Sequence, residues 1–256
     1  MDMEMDSAER IDAIVALLRE TGEVAVAHLA ERLGHSEMTI RRDLDQLAGQ
    51  GVLRRVRGGA ISLLPRGQEP PFAIRERQAV EAKERIALAV NDVIGAGEAV
   101  VVDSGTTAAR VAHAFVDRPL TVMPLSLQAA SALSASRETK LLMAGGEVRP
   151  GELSLIGPLA EESLGAVRFD TAVLSCCGLT VTDGVTAHDL GDVAVKRAAM
   201  RSAQRIVMAA DSTKLGQVTM GYVAPLSRID MLVTDTDAPD DIVTEIQACG
   251  VAVLRV

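Results

Sequence analysis

Two clusters of residues have types and spacings suited to chemistry. The first is Asp103-Ser104-Gly105-Thr106-Thr107, which follows the apolar run Ala99–Val102 and precedes Ala108, Val111, Ala112 and Phe115 at helical spacing. A strand, a small-residue turn and a helix start bring free amides, the positive end of the helix dipole and two Thr hydroxyls to one point, a seat for phosphate or carboxylate. Ser and Thr also cap most helices, so this motif alone is a weak signal. Two further loops stand at comparable strand ends, Gly145-Gly146 and Asp211-Ser212-Thr213-Lys214. Lys214 there is available to an anion, or to a solvated pair with Asp211.

The second cluster is five arginines, Arg41, Arg42, Arg54, Arg55 and Arg57, set against Glu37, Asp43 and Asp45. Ile40, Leu44, Leu47 and Ala48 define the apolar stripe of a helix that Ser36 caps and Gly49 and Gly51 end. At about 100° per residue, Met38, Thr39, Arg42 and Gln46 project on the opposite face, with Arg41 at its edge. A preceding helix carries Val26, Leu29, Ala30 and Leu33 and is separated from it only by Gly34-His35. This is the sequence form of a helix-turn-helix. The β-type segment Val52–Ala60, with Arg54, Arg55, Arg57 and a closing Gly pair, fits a short wing whose arginines reach phosphate or minor groove.

The elements that position these clusters fall into two parts. Ile61–Phe72, with three prolines and a glycine, interrupts every periodicity and reads as a linker. Residues 1–60 are then a winged helix-turn-helix and 73–256 a larger domain. In the latter, a helix over Glu81–Ile94 is followed by seven apolar or β-rich segments, at Ala99–Val102, Leu120–Met123, Leu141–Ala144, Thr171–Leu174, Arg205–Ala209, Met231–Thr234 and Val251–Leu254. Most are separated by helix-like stretches. The expected fold is α/β, with a mostly parallel sheet covered on both faces and ligands beyond the carboxyl ends of its strands.

Composition narrows the function. The chain has 256 residues and a formal charge of −9, from 26 Lys and Arg against 35 Asp and Glu, which excludes a generally basic polyanion binder. Concentrated arginine on an acidic protein favours selective over indiscriminate DNA binding. Aromatic residues make up only 2%, which disfavours base-stacking platforms. Cys176, Cys177 and Cys249 form no disulfide framework, and His28, His35, His113 and His188 show no metal-ligand spacing. Neither a signal peptide nor a bilayer-length apolar run is present, so a cytoplasmic location without membrane attachment is expected. No metal or cofactor is expected.

The chain resembles the DeoR family of bacterial transcriptional regulators. The resemblance rests on LAERLGHSEMTIRRDLDQLAGQGVLRRVRGGA at 29–60, VVDSGTTAARVA at 101–112, LLMAGGEVRP at 141–150, DGVTAHDLGDVAVKRAAM at 183–200 and AADSTKLG at 209–216. It implies an N-terminal domain that binds double-stranded operator DNA, most often as a repressor of carbohydrate or related catabolic genes. It also implies a C-terminal sensor, related in fold to sugar-phosphate isomerases, for a phosphorylated sugar or similar anionic metabolite. Carried over by position, Thr39, Arg41, Arg42, Arg54, Arg55 and Arg57 belong to the DNA interface, to which the cap and outer face of the helix add Ser36, Met38 and Gln46. Asp103, Ser104, Gly105, Thr106, Thr107, Gly145, Gly146, Asp192, Lys196, Asp211 and Lys214 belong to the effector site, with a structural salt bridge as the other reading of Lys196. A homodimer or higher homo-oligomer is implied, because such domains read paired half-sites.

Three departures from the family pattern stand out. Pro124-Leu125 replaces a usual Thr-Asn pair, Asp192 stands where Glu is usual, and Ser175-Cys176-Cys177-Gly178 replaces a loop of Gly, Ala or Asp. The cysteines are expected to be structural and buried. Two other functions stay open on the residues: a DNA-binding regulator whose large domain only oligomerises, and a sugar-phosphate isomerase. The second is disfavoured by the loss of acidic residues after the fourth strand.

Overall fold

The computed structural model describes residues 7–62 and 69–256. The chain divides into two compact units, 1–78 and 79–256.

The small unit runs α1 (Ser7–Thr21), β1 (Glu23–Ala25), α2 (Val26–Leu33), α3 (Glu37–Gly49), β2 (Leu53–Val56), β3 (Gly59–Ser62) and α4 (Phe72–Arg75). Its core is the expected stripes: Ile14 and Leu18 from α1, Val26 and Leu29 from α2, and Ile40, Leu44 and Leu47 from α3. Gly34, at φ 68°, ends α2 in the left-handed conformation and makes the tight turn into α3. The wing is the antiparallel hairpin β2–β3, and β1 adds to it in the order β1-β3-β2. The two wing glycines have different causes. Gly58 turns the hairpin at φ 80°, whereas a Cβ on Gly59 would stand 2.1 Å from the carbonyl oxygen of Val24.

Two boundaries differ from the sequence reading. Ile61 and Ser62 extend β3 instead of opening a linker, because their backbone pairs with Glu23 and Leu53. Ile74 on α4 is buried in the core of the small unit, so the second unit begins at Ala79 and not at 73. Residues 63–68 of the expected linker lie outside the described residues.

The large unit comprises α5 (Val80–Val93), β4 (Ala99–Val102), α6 (Thr106–Ala114), β5 (Thr121–Pro124), α7 (Leu127–Leu133), β6 (Lys140–Leu141), β7 (Glu147–Val148), β8 (Leu155–Ile156), α8 (Pro158–Gly165), β9 (Phe169–Leu174), β10 (Gly178–Thr180), β11 (Gly184–Ala187), α9 (Leu190–Ser202), β12 (Ala203–Ala209), β13 (Gly221–Ala224), β14 (Met231–Thr234), α10 (Asp240–Ala248) and β15 (Ala252–Arg255). The seven expected strands form one sheet, ordered β15-β14-β12-β9-β4-β5-β6, with every pairing parallel. Alternate residues of β4 enter opposite layers. Val101 joins a core with α8, α9 and α10, while Val100 and Val102 join one with α5, α6 and α7. Helices therefore cover both faces. The chain leaves β4 toward β5 on one side and returns as β9 on the other, so the loops after β4 and β9 diverge at a topological switch point, where such sheets form a crevice. An antiparallel sheet β10-β11-β13 and the hairpin β7–β8 are additions the sequence reading did not contain.

Candidate functional site

Helix α3 presents its outer face as the apolar stripe requires. The Ser36 side chain accepts a hydrogen bond from Thr39 N–H at 3.1 Å, satisfying a first-turn amide. Met38 is 74% exposed, and Arg42 and Gln46 are also exposed. The one buried acid on the helix, Asp43, faces inward and accepts from Arg10 Nε at 2.6 Å, which removes a negative charge from the outer surface.

The structure separates the remaining DNA-interface candidates by their partners. Arg42, Arg54 and Arg57 are exposed, and their guanidinium groups have no hydrogen bond or ion pair among the described residues. Arg41 is exposed and pairs with Glu37 one turn earlier at 2.7 Å, a contact weak enough to exchange for phosphate. Thr39 is half-buried, with its hydroxyl 2.9 Å from that of Ser36, so its first role is at the cap. Arg55 turns inward. Its guanidinium donates to Asp45 and to the carbonyl of Gly59, each at 2.8 Å, and braces the wing against α3.

At the carboxyl end of the parallel sheet, Gly105 caps α6 at φ 94°, ψ 174°, backbone geometry essentially restricted to glycine. No side chain caps this helix, and the amides of Thr106, Thr107 and Ala108 find no acceptor among the described residues. Ser104, Thr106 and Thr107 are buried around them. Asp103 is the hub beneath. It is 2% exposed and accepts from Ser175 N–H at 2.7 Å, from Ser175 Oγ at 2.9 Å and from the Lys196 ammonium. Lys196 in turn donates to the carbonyl of Ser175 at 3.1 Å. This ion pair staples the loop after β4 to the loop after β9. Burial alone pulls the Lys196 ammonium down, but Asp103, Asp192 and the hydrogen bond together outweigh it, so the group is raised above its ordinary value.

The other effector-site candidates each have neighbours of their own. Lys214 and Lys196 both lie close enough to Cys176 to oppose the upward shift of its thiol, and Asp211 reinforces that shift. Burial is the main cause; with Cys177 it pushes the Cys176 thiol up to about 12, so it is neutral. The Asp211 side chain accepts from Thr213 N–H at 3.2 Å and from the Thr213 hydroxyl, capping the turn that carries Lys214. The Lys214 ammonium itself has no hydrogen bond or ion pair among the described residues. Asp192 is engaged by the Arg149 guanidinium and by Ser154 Oγ at 2.8 Å, both from the β7–β8 hairpin. Gly145 and Gly146 make the preceding turn at φ 70° and 99°, and a Cβ on Gly146 would lie 2.5 Å from the carbonyl oxygen of Ile156. Close backbone packing against β8 accounts for Gly146 without a ligand. Ser175, Arg149 and Ser154 were missed from sequence: their partners lie 38 to 72 residues away, at no local spacing.

Among the described residues no group of three or more His, Cys, Asp or Glu is placed to hold a metal ion, and no helix is long and apolar enough to cross a membrane. Residues 10–65 match the model of the DeoR-like helix-turn-helix domain, and 78–236 that of the DeoR C-terminal sensor domain. The transcriptional regulator GlpR of Haloferax volcanii is 32% identical over 248 residues, spanning 96% of this chain and 97% of that protein. The glycerol-3-phosphate regulon repressor of Escherichia coli is 30% identical over 236 residues, with 92% and 93% covered. Among solved structures, ribose 5-phosphate isomerase A of Methanocaldococcus jannaschii aligns at 15% identity and a TM-score of 0.40, over 53% of this chain and 54% of that one. With both halves matched in order, the chain belongs to the DeoR family of transcriptional regulators.

Proposed function

We propose that the protein is a repressor of catabolic genes whose operator affinity is set by a phosphorylated sugar or a similar small anion. The observation that carries this reading is the outer face of α3. Met38, Arg42 and Gln46 stand exposed there in one row, with Asp43 turned inward and the unpaired Arg54 and Arg57 on the neighbouring wing. Such a row reads base edges, while wing arginines hold the backbone. The effector phosphate is assigned to the first-turn amides of α6 with Gly105, Thr106 and Thr107, and the unpaired Lys214 supplies the cation. Asp103 and Lys196 position that loop, and Asp192 holds the β7–β8 hairpin through Arg149.

The same contacts favour binding over turnover. Isomerisation needs a carboxylate poised as a base, and Asp103, Asp192 and Asp211 are each already committed to neighbouring donors. The active species is taken to be a homodimer or higher oligomer, since paired half-sites double the contacts made by a small basic patch. An effector shifts operator affinity only through unequal affinity for two arrangements of the oligomer.

The test is a gel-shift and calorimetric series on the full chain. Arg42→Ala abolishes sequence-selective shifts without changing the circular dichroism spectrum, and survival of selective binding defeats the assignment of the reading face. Lys214→Ala weakens the best ligand of a sugar-phosphate panel about tenfold or more, in line with loss of a charge-assisted hydrogen bond. If no phosphorylated compound binds the wild type, the sensor assignment fails and the large unit is left as an oligomerisation platform.

A further inference from the structure

The large unit leaves the outer face of α9 open between two neighbours. At about 100° per residue, Asp192 and Lys196 turn to the sheet while Val193 and Arg197 turn to β13. A Cβ on Gly221 would stand 2.7 Å from Val193 Cγ2, and the Arg197 guanidinium donates to the carbonyls of Val223 at 3.0 Å and Tyr222 at 2.6 Å. The opposite side of α9 packs along α8, and Gly191 lies against Ile156, just before that helix, so the two helices start level. Between these flanks Leu190, Ala194 and Arg201 point outward, with no acid among them.

The two flanks differ in kind. Met220 and Tyr222 stand on the β13 side, 68% and 48% exposed, with the Arg197 guanidinium 5.8 Å from the Tyr222 ring centroid. On the α8 side stand Leu159, 66% exposed, and Glu162, also exposed. Leu190, 63% exposed, lies between them. Neither the Glu162 carboxylate nor the Arg201 guanidinium has a hydrogen bond or ion pair among the described residues. Grouped Leu, Met, Tyr and Arg without an acid at the centre make the composition of an interface core, not of an ordinary solvated surface.

We propose that this face receives a second copy of the chain in a two-fold contact centred on α9. A two-fold axis normal to the face sets the α8 flank of one copy on the β13 flank of the other. Leu159 then meets Met220 and Tyr222 across the contact, and Glu162 meets Arg197 and Arg201. Leu190 and Ala194 fill the centre, where the small Ala194 lets the two helices approach. Charge selects this occupant: at −9 each, two copies repel in general and join where each offers arginines to a carboxylate of the other. The inference rests on the reading of the active species as a homo-oligomer and gives that oligomer a surface. It also puts the contact and the effector loop on one helix, because Lys196, beside Arg197 in sequence, is bonded to Asp103.

The experiment is sedimentation velocity of the full chain over a dilution series. Leu190→Asp puts a charge at the centre of the contact while suiting the first turn of a helix. It is expected to remove one step of assembly, dimer to monomer or tetramer to dimer. Glu162→Arg and Arg201→Glu each place like charges across the axis twice per dimer, and each is expected to raise the dissociation constant about tenfold or more. The double variant exchanges the two charges, so association returns. Glu245→Arg makes the same charge change as Glu162→Arg on exposed α10 and should leave association unchanged. All of these side chains are exposed, and an unchanged circular dichroism spectrum confirms the fold. Wild-type assembly in Leu190→Asp and in both single reversals overturns the inference and leaves the oligomer reading intact. A double variant no better than the singles, or an equal loss in Glu245→Arg, overturns it as well. A wild type that is monomeric at every dilution defeats both readings.

Discussion

Lys196→Met tests the buried staple in the sensor with little change of volume. Lys196 is 5% exposed and Asp103 2%, so the pair has almost no access to water. Removing the ammonium leaves a buried carboxylate held only by Ser175 N–H and Oγ, at 2.7 and 2.9 Å. Breaking a buried pair by deleting one partner costs about 3–5 kcal/mol. The two surviving hydrogen bonds place the loss near the lower end, about 3 kcal/mol. For a unit of this size that lowers the melting temperature by roughly 6–12 °C. Scanning calorimetry of the full chain is the suitable assay, because the sequence contains no Trp and a single Tyr for fluorescence. The sensor transition should drop while that of the small unit stays in place. Asp103→Asn combined with Lys196→Met removes both charges and should recover much of the loss. The sign of the pH dependence follows from the raised Lys196. A group raised on folding contributes stability that is complete below its unfolded value and is lost as pH climbs through the folded one. Wild type should therefore lose its advantage over Lys196→Met only above the ordinary lysine value of 10.5. A melting shift below about 2 °C, or a double variant no better than the single one, would refute the reasoning.

Gly59→Ala forces a Cβ against the Val24 carbonyl and should destabilise the small unit by about 1–3 kcal/mol. It should also weaken DNA binding through the displaced wing, and calorimetry with an unchanged first transition would speak against that packing. The Cys176 thiol, held near 12, carries almost no thiolate at pH 8. Under native conditions a thiol-disulfide reagent should modify the exposed Cys249 and reach Cys176 only in denaturant. Peptide mass mapping would expose the error if Cys176 reacted rapidly in the folded protein.

The parallel sheet was legible because its strands are nearly unbroken apolar runs such as Ala99–Val102, which only burial on both faces explains. Helix α3 was legible through its stripe and its Ser36 cap. Shorter elements escaped. Strand β1 has three residues, too few to show alternation, and β10, β11 and β13 begin at glycines that read as loop. Helix α4 lay hidden after Pro70-Pro71, and only tertiary contact shows that Ile74 belongs to the small unit. In the site, the residue types of the Asp103 loop pointed to an anion, but the commitment of its carboxylate to Lys196 and Ser175 depends on a strand pairing distant in sequence. Arg55 shows the same limit. Its neighbours Arg54 and Arg57 are equally basic, and only the fold of the wing turns Arg55 toward Asp45.

Placing β4 inside its sheet, next to the middle strand β9, sets an order of events during synthesis. Its flank toward β9 is closed by contacts such as Ala99 N–H to Asp170, 71 residues farther along. The central pair of the sensor must therefore wait for most of the chain, and long-range parallel pairing is slow to form. The small unit closes over short separations, Glu23 with Ile61 being the outermost pair of its sheet. The DNA-reading half can thus be complete at the ribosome while the apolar strands of the other half are still unpaired. In that interval the emerging sensor exposes apolar strand edges that its later partners will cover, the kind of surface through which chains aggregate. Substitutions that slow the β4–β9 pairing should lower the yield of assembled regulator before they affect its affinity for DNA.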